Sequence, residues 1–160
     1  MRPAIRILLA VVMVGAIAHP AAADLTAFLG VAPNPEARLA KGLAVGAGGL
    51  IFGFEFEWAS ISDDEAAALP GLTTWTGSAL VQTPSVGLKV QLYAIGGFGV
   101  YRERLLDREE TNVDVALGGG AKIKLAGPLK LRVDYRVFKL QGAALTDNPH
   151  RLYAGLALGF

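Results

Sequence analysis

Residues 129–137 alternate without a break: Leu129, Leu131, Val133, Tyr135 and Val137 occupy one register, Lys130, Arg132, Asp134 and Arg136 the other. Side chains at i and i+2 share a face only in an extended strand, so this segment has one apolar side and one charged side. The pattern recurs at 50–58, where Leu50, Phe52, Phe54, Phe56 and Trp58 oppose Ile51, Gly53, Glu55 and Glu57. Along 112–125, Val113, Val115, Leu117, Ala121, Ile123 and Leu125 face away from Asn112, Asp114, Lys122 and Lys124, and Gly118, Gly119 and Gly120 let the sheet curve at its middle. In 88–100, Leu88, Val90, Leu92, Ala94, Phe98 and Val100 oppose Lys89, Gln91, Tyr93, Gly97 and Gly99. A helical reading fails even for the apolar run 42–54, which holds Gly42, Gly46, Gly48, Gly49 and Gly53, because each glycine costs a helix about 1 kcal/mol.

The amino terminus is of another kind. Arg2 and Arg6 precede an apolar run from 7 to 18, and Pro20 with Ala21, Ala22 and Ala23 supplies a small-residue cleavage site. That order is a secretory signal peptide, and the run falls short of the ~20 residues a spanning helix needs. Residues 1–23 are therefore expected to be removed, with 24–160 forming one domain. Setting aside Arg2 and Arg6 leaves 13 basic against 14 acidic residues, so bulk charge gives no support for nucleic-acid binding. The chain has no cysteine, and His19 lies in the leader, which leaves His150 as the mature chain's histidine. Disulfide scaffolds, thiolate metal sites and two-histidine mechanisms are excluded.

Breaks fall at Pro33, Asn34 and Pro35, at Gly48 and Gly49, at 63–71, at 83–85, at 103–110, at Gly127 and Pro128, and at 141–149. They predict eight strands at 24–32, 41–48, 50–60, 72–82, 87–102, 111–125, 129–140 and 150–160. The first, third, fifth and seventh breaks are expected to be long and the others tight, the alternation of an up-and-down antiparallel barrel in a membrane. With the apolar registers outward, Glu55, Glu57, Lys89, Asp114, Lys122, Lys124, Lys130, Arg132, Asp134, Arg136 and Arg151 fill the lumen, where an eight-stranded barrel has just enough room for side chains. With them inward, the chain is a periplasmic lipocalin-like binder of an apolar ligand.

The final strand decides between the two. Leu152, Ala154, Leu156, Leu158 and Phe160 share one face, and Phe160 is the last residue. Here the chain resembles bacterial outer-membrane β-barrels, and within them the small eight-stranded OmpA-like barrels. The resemblance implies an all-β transmembrane barrel in the outer membrane of a two-membraned bacterium. It also implies contact with outer-membrane lipid and lipopolysaccharide, and an assembly signal in that last strand read by the barrel assembly machinery through strand addition at a sheet edge. No domain is expected after the barrel. Trp58 and Trp75 are expected near the outer rim and Phe160 at the periplasmic rim, where interface aromatics gather.

The expected role is structural or surface-interactive, by a monomer without cofactor, metal or enzymatic activity; a narrow pore for ions or small solutes is the alternative. Asp147 and His150 with Ser60, Ser62, Ser78 or Ser85 form a nominal triad composition. The lipid A deacylases among such barrels carry His followed at once by Ser, however, whereas Arg151 follows His150 here. Asp63, Asp64 and Glu65 lack the glycine and spacing of a calcium loop. Arg102, Glu103, Arg104, Asp107, Arg108, Glu109 and Glu110 form a charged rim whose arginines suit lipid phosphates.

Overall fold

The computed structural model describes residues 22–34, 36–64, 67–84, 89–106, 108–146 and 148–160. Eight strands form among them: β1 (Ala22–Ala32), β2 (Arg38–Gly48), β3 (Phe52–Ile61), β4 (Gly71–Gln82), β5 (Val90–Leu105), β6 (Arg108–Ala126), β7 (Leu129–Leu140) and β8 (His150–Gly159). Each pairs antiparallel with its sequence neighbour, and β1 pairs with β8 to close the barrel. Of the expected leader, residues 1–21 lie outside the description, and Ala22 and Ala23 extend β1, paired with Gly48 and Ala47.

The barrel is inside out relative to a water-soluble protein. Phe54 is 71% exposed and Phe98 78%, whereas Arg132, Arg136 and Asp134 are 0% exposed. Leu25, Leu43, Leu92, Leu117 and Leu156 also point outward. The apolar exterior excludes the lipocalin-like alternative, which needs the same registers inward. A spanning strand needs about 9–11 residues, a length that β1 (11 residues), β3 (10) and β8 (10) meet. The start of β1 and the end of β8 meet at one mouth, where Ala23 and Phe160 exchange backbone hydrogen bonds at 2.9 Å; the β1–β2, β3–β4, β5–β6 and β7–β8 connections lie at the other, the loop end.

At the loop end the lumen is closed by an apolar layer of Ala32, Ala40, Ile61, Leu72 and Tyr101, against which Leu140 and Ala144 pack. The segment after β7 folds over this layer. Tyr101 donates its hydroxyl to the Gln141 carbonyl, and Leu145 N–H donates to Glu103 at 2.6 Å.

The expected alternation of long and short connections breaks at the fifth. Residues 103–110 were expected to loop out, but β5 (16 residues) and β6 (19) keep pairing to Leu105 and Arg108. The charges that suggested a loop are cross-strand partners: Arg102 and Arg104 reach Glu109 at 3.3 and 3.9 Å, and opposite charges on adjacent strands stabilise a hairpin. Leu106 makes the turn with φ 52°, and Asp107 lies outside the described residues. The first connection is also shorter than expected, because β2 begins at Arg38, whose guanidinium donates to the Pro70 carbonyl and, at 3.2 Å, to that of Ser62. The fourth is longer, since β5 starts at Val90 rather than 87; residues 85–88 of that connection lie outside the description.

Candidate functional site

Three strands supply the central cluster of lumenal charges, each at alternate positions so that all point inward: Glu55 and Glu57 from β3, Arg132, Asp134 and Arg136 from β7, and Arg151 from β8. β7 and β8 are neighbours, and their register sets Arg136 directly beside Arg151. Two adjacent cations repel, so this register is stabilised by an anion that reaches both. Glu57 arrives from the far wall, with one oxygen on Arg151 Nη2 and the other 3.2 Å from Arg136 Nη1.

Glu55 repeats the arrangement one step along β3. Its Oε1 accepts from Arg136 Nη2 at 2.6 Å and from Arg132 Nη2 at 3.2 Å, and its Oε2 accepts from Arg132 Nη1. Asp134, between the two arginines on β7, takes Arg132 Nη2 at 2.9 Å and Arg136 Nε at 2.9 Å. Tyr93 completes this cluster, since its hydroxyl accepts from Arg132 Nε at 2.7 Å and donates to Asp134. Among the described residues the network thus has three guanidiniums and three carboxylates, with no net charge, and it ties β3 to β7 and β8 across the lumen.

Aromatic rings fill what the ion pairs leave. Phe28 stacks on Tyr153 with ring centroids 4.0 Å apart, and the Arg151 guanidinium lies over Phe28, Phe138 and Tyr153 at 5.1, 5.0 and 5.3 Å. Such placement stabilises a desolvated cation. Toward the mouth at the chain ends, Lys122 pairs with Asp24 at 2.6 Å. The buried side-chain atoms without a hydrogen bond include both Asp114 carboxylate oxygens and the Thr26, Thr74, Thr76 and Ser78 hydroxyls.

Of the eleven residues expected in the lumen, Glu55, Glu57, Asp114, Lys122, Arg132, Asp134, Arg136 and Arg151 are buried there. Lys130 is half-buried at the mouth. Lys89 and Lys124 are instead exposed. They keep the inward register, but it carries them past the end of the barrel, where the Lys124 N–H bonds the Lys89 carbonyl at 2.8 Å. Trp58 and Trp75 are direct cross-strand neighbours on the outer surface, toward the loop end. Leu152, Leu156, Leu158 and Phe160 are exposed on the barrel exterior, as is Ala154.

Asp24, Phe28, Tyr93, Phe138 and Tyr153 belong to the plug but were not singled out in the sequence. For Tyr93 and Tyr153 a signal existed, because each sits on the inward register of a strand whose other face is apolar.

The remaining sequence candidates do not come together. The His150 ring bonds the Tyr135 hydroxyl and none of Ser60, Ser62 or Ser78, while Asp147 and Ser85 lie outside the described residues. Asp64 accepts from the Ala67 N–H at 3.1 Å, Asp63 is exposed, and Glu65 is outside the description.

The chain matches no described protein family, and no curated protein sequence is similar to it. Solved structures are. The amino-terminal β-barrel domain of Pseudomonas aeruginosa OprF superposes with a TM-score of 0.65 at 12% identity, over 87% of this chain and 97% of that one. Neisserial surface protein A superposes with a TM-score of 0.65 at 14% identity, over 88% and 96%. The outer membrane enzyme PagL follows with a TM-score of 0.55 at 12% identity, over 84% and 98%. The fold is that of the small eight-stranded outer-membrane β-barrels.

Proposed function

We propose that this chain is exported by its leader and resides in the outer membrane of a two-membraned bacterium as a closed barrel with a structural or surface-interaction role. The observation that carries the reading is the neutral ion-pair network of Glu55, Glu57, Arg132, Asp134, Arg136 and Arg151 inside a barrel whose outward face carries a broad apolar band. Charges held against one another across a narrow lumen resist displacement by water or solute, and the apolar layer beneath the loops closes the same path a second time. A single chain closes its own sheet, which suits a monomer. The outward residues Leu152, Ala154, Leu156, Leu158 and Phe160 are the surface that the assembly machinery would read.

A narrow pore remains the second reading, favoured by the unpartnered Asp114 carboxylate and the Thr74 and Thr76 hydroxyls, a lumenal stretch suited to water. Enzymatic activity has the weakest support, since PagL shares the fold at 12% identity and the described residues bring no serine to His150. Fractionation of expressing cells tests residence: a heat-shifted band in the outer-membrane fraction is expected, and a soluble periplasmic protein without heat shift refutes it. Planar-bilayer recording then separates plug from pore. The wild-type chain is expected to be silent and Glu55→Ala with Glu57→Ala to conduct; discrete steps from the wild type favour the pore.

A further inference from the structure

Around the loop end of the barrel, the outward face changes character within one cross-strand row. Lys41 of β2 pairs with Ser60 of β3, Ser60 with Thr73 of β4, and Thr73 with Arg102 of β5. These four side chains therefore stand side by side on the exterior. The next row toward the barrel's middle reads Leu43, Trp58, Trp75 and Val100. A cationic and hydroxyl-bearing row thus sits directly on a tryptophan pair, the side chains that mark the level of lipid headgroups.

The row is also a cleft. Lys41, Ser60, Thr73, Arg102 and Arg104 line a depression of about 320 Å³. Lys41 also lines a second groove of about 560 Å³, whose other walls include Leu29, Leu43, Trp58, Leu131 and Leu156. A polar cleft and an apolar groove that share one lysine have the shape of an amphiphile, with a headgroup site above and a hydrocarbon site below. Two carboxylates weigh against an anion there: Asp63 lines the cleft, and Glu109 is shared by Arg102 and Arg104 at 3.3 and 3.9 Å. Lys41 has no ion pair or hydrogen bond among the described residues, so the row keeps a cation to offer.

We infer that Lys41, Ser60, Thr73 and Arg102 bind the phosphate of an anionic membrane lipid whose acyl chain runs down the groove past Trp58. The inference rests on the membrane-spanning reading above. Lysine supplies a point charge, arginine a planar fork of donors, and the two hydroxyls the remaining hydrogen bonds to phosphate oxygens. Among the described residues this cluster, on the lipid-facing side of the barrel, has no partner of opposite charge beyond Asp63 and Glu109.

Trp58 and Trp75, the only tryptophans in the sequence, are the reporters. The chain is folded into phosphatidylcholine vesicles doped, at equal mole fraction, with either phosphatidic acid or phosphatidylcholine carrying brominated acyl chains, which quench tryptophan on contact. Stronger quenching by the brominated phosphatidic acid is expected, with roughly a fivefold preference for each basic residue that meets the phosphate. Lys41→Gln with Arg102→Gln is expected to remove the preference and keep the basal quenching, and Lys41→Arg with Arg102→Lys to retain it.

Equal quenching by the two lipids overturns the inference while leaving the membrane barrel intact. A preference that survives in the double Gln variant overturns the assigned site. A preference abolished by added inorganic phosphate makes the site one for free phosphate and overturns the lipid. Quenching by neither lipid overturns the membrane-spanning reading and this inference with it. Fluorescence that changes with protein density and not with lipid makes the occupant a second copy of the chain.

Discussion

Replacing Glu55 by Ala removes the carboxylate that joins Arg132 to Arg136. The network then holds three guanidiniums against two carboxylates, and one positive charge stays buried with its hydrogen bonds incomplete. Breaking one side of a buried pair costs about 3–5 kcal/mol. With a urea slope of about 1–3 kcal/mol per molar, that loss lowers the unfolding midpoint by about 2 M. The assay is a urea series on barrel folded in detergent micelles, read as the fraction of unboiled protein in the heat-shiftable band. The decisive comparison is Glu55→Met with Arg132→Met, which removes one charge of each sign and returns the network to balance; buried pairs exchanged for apolar side chains of similar volume are often neutral or stabilising. The double variant is therefore expected to recover most of the midpoint lost by Glu55→Ala. Should the single variant unfold with the wild type, or the double variant prove worse than the single, the ion pairs do not carry the cross-lumen connection assigned to them.

Three further outcomes follow from the same geometry. Glu57→Gln leaves Arg136 and Arg151 side by side without their shared anion, and a fall in urea midpoint comparable to that of Glu55→Ala is expected. Tyr93→Phe takes a hydroxyl from between Arg132 and Asp134 and is expected to cost about 1–3 kcal/mol by the same urea series. A side chain at Gly120 would strike the Val133 carbonyl and the Tyr93 ring, whereas one at Gly77 meets its nearest atom, the Phe98 carbonyl, at 4.0 Å. Gly120→Val is accordingly expected to abolish the heat-shiftable band and Gly77→Val to keep it, as a refolding gel will report.

The strands were legible in proportion to how unlike their two faces are. β7 spans Leu129–Leu140, the range that its strict alternation predicts. β2 carries almost only small residues, Ala40, Gly42, Ala44 and Gly46, on its inward face and was read three residues short of Arg38, whose side chain turns inward to bond carbonyls of the β3–β4 connection. The hairpin of β5 and β6 was misread for a different reason. Charge density marks exposure, and exposure alone does not separate a loop from a strand that continues beyond the membrane; only the pairing of Arg104 with Glu109 does. The inward charges of β3 and β7 could be named from their register, but that Glu57 would serve Arg151 could not, because the contact depends on which strands face one another across the closed barrel.

The high glycine content, which in the sequence argued against helix and for a curved sheet at 118–120, acquires a further meaning once the register is known. In β6, Gly118 lies beside Arg136 and Gly120 beside Asp134; on β8, Gly155 lies beside Arg132; on β2, Gly46 lies beside Glu55. Four of the six residues of the ion-pair network thus have a neighbour with no side chain, and a Cβ added at Gly118 would reach the Arg136 side chain itself. An eight-stranded lumen is only wide enough for its own side chains, so long arginines can lie across it only where adjacent strands give up volume at the same height, the alternation of large and small that small barrels use. The glycines and the charges are therefore one feature rather than two. The Coulombic attraction that holds the plug together is available only because the strands beside it are bare, and a chain that kept the charges but filled those positions would have to push the guanidiniums out of reach of Glu55 and Glu57.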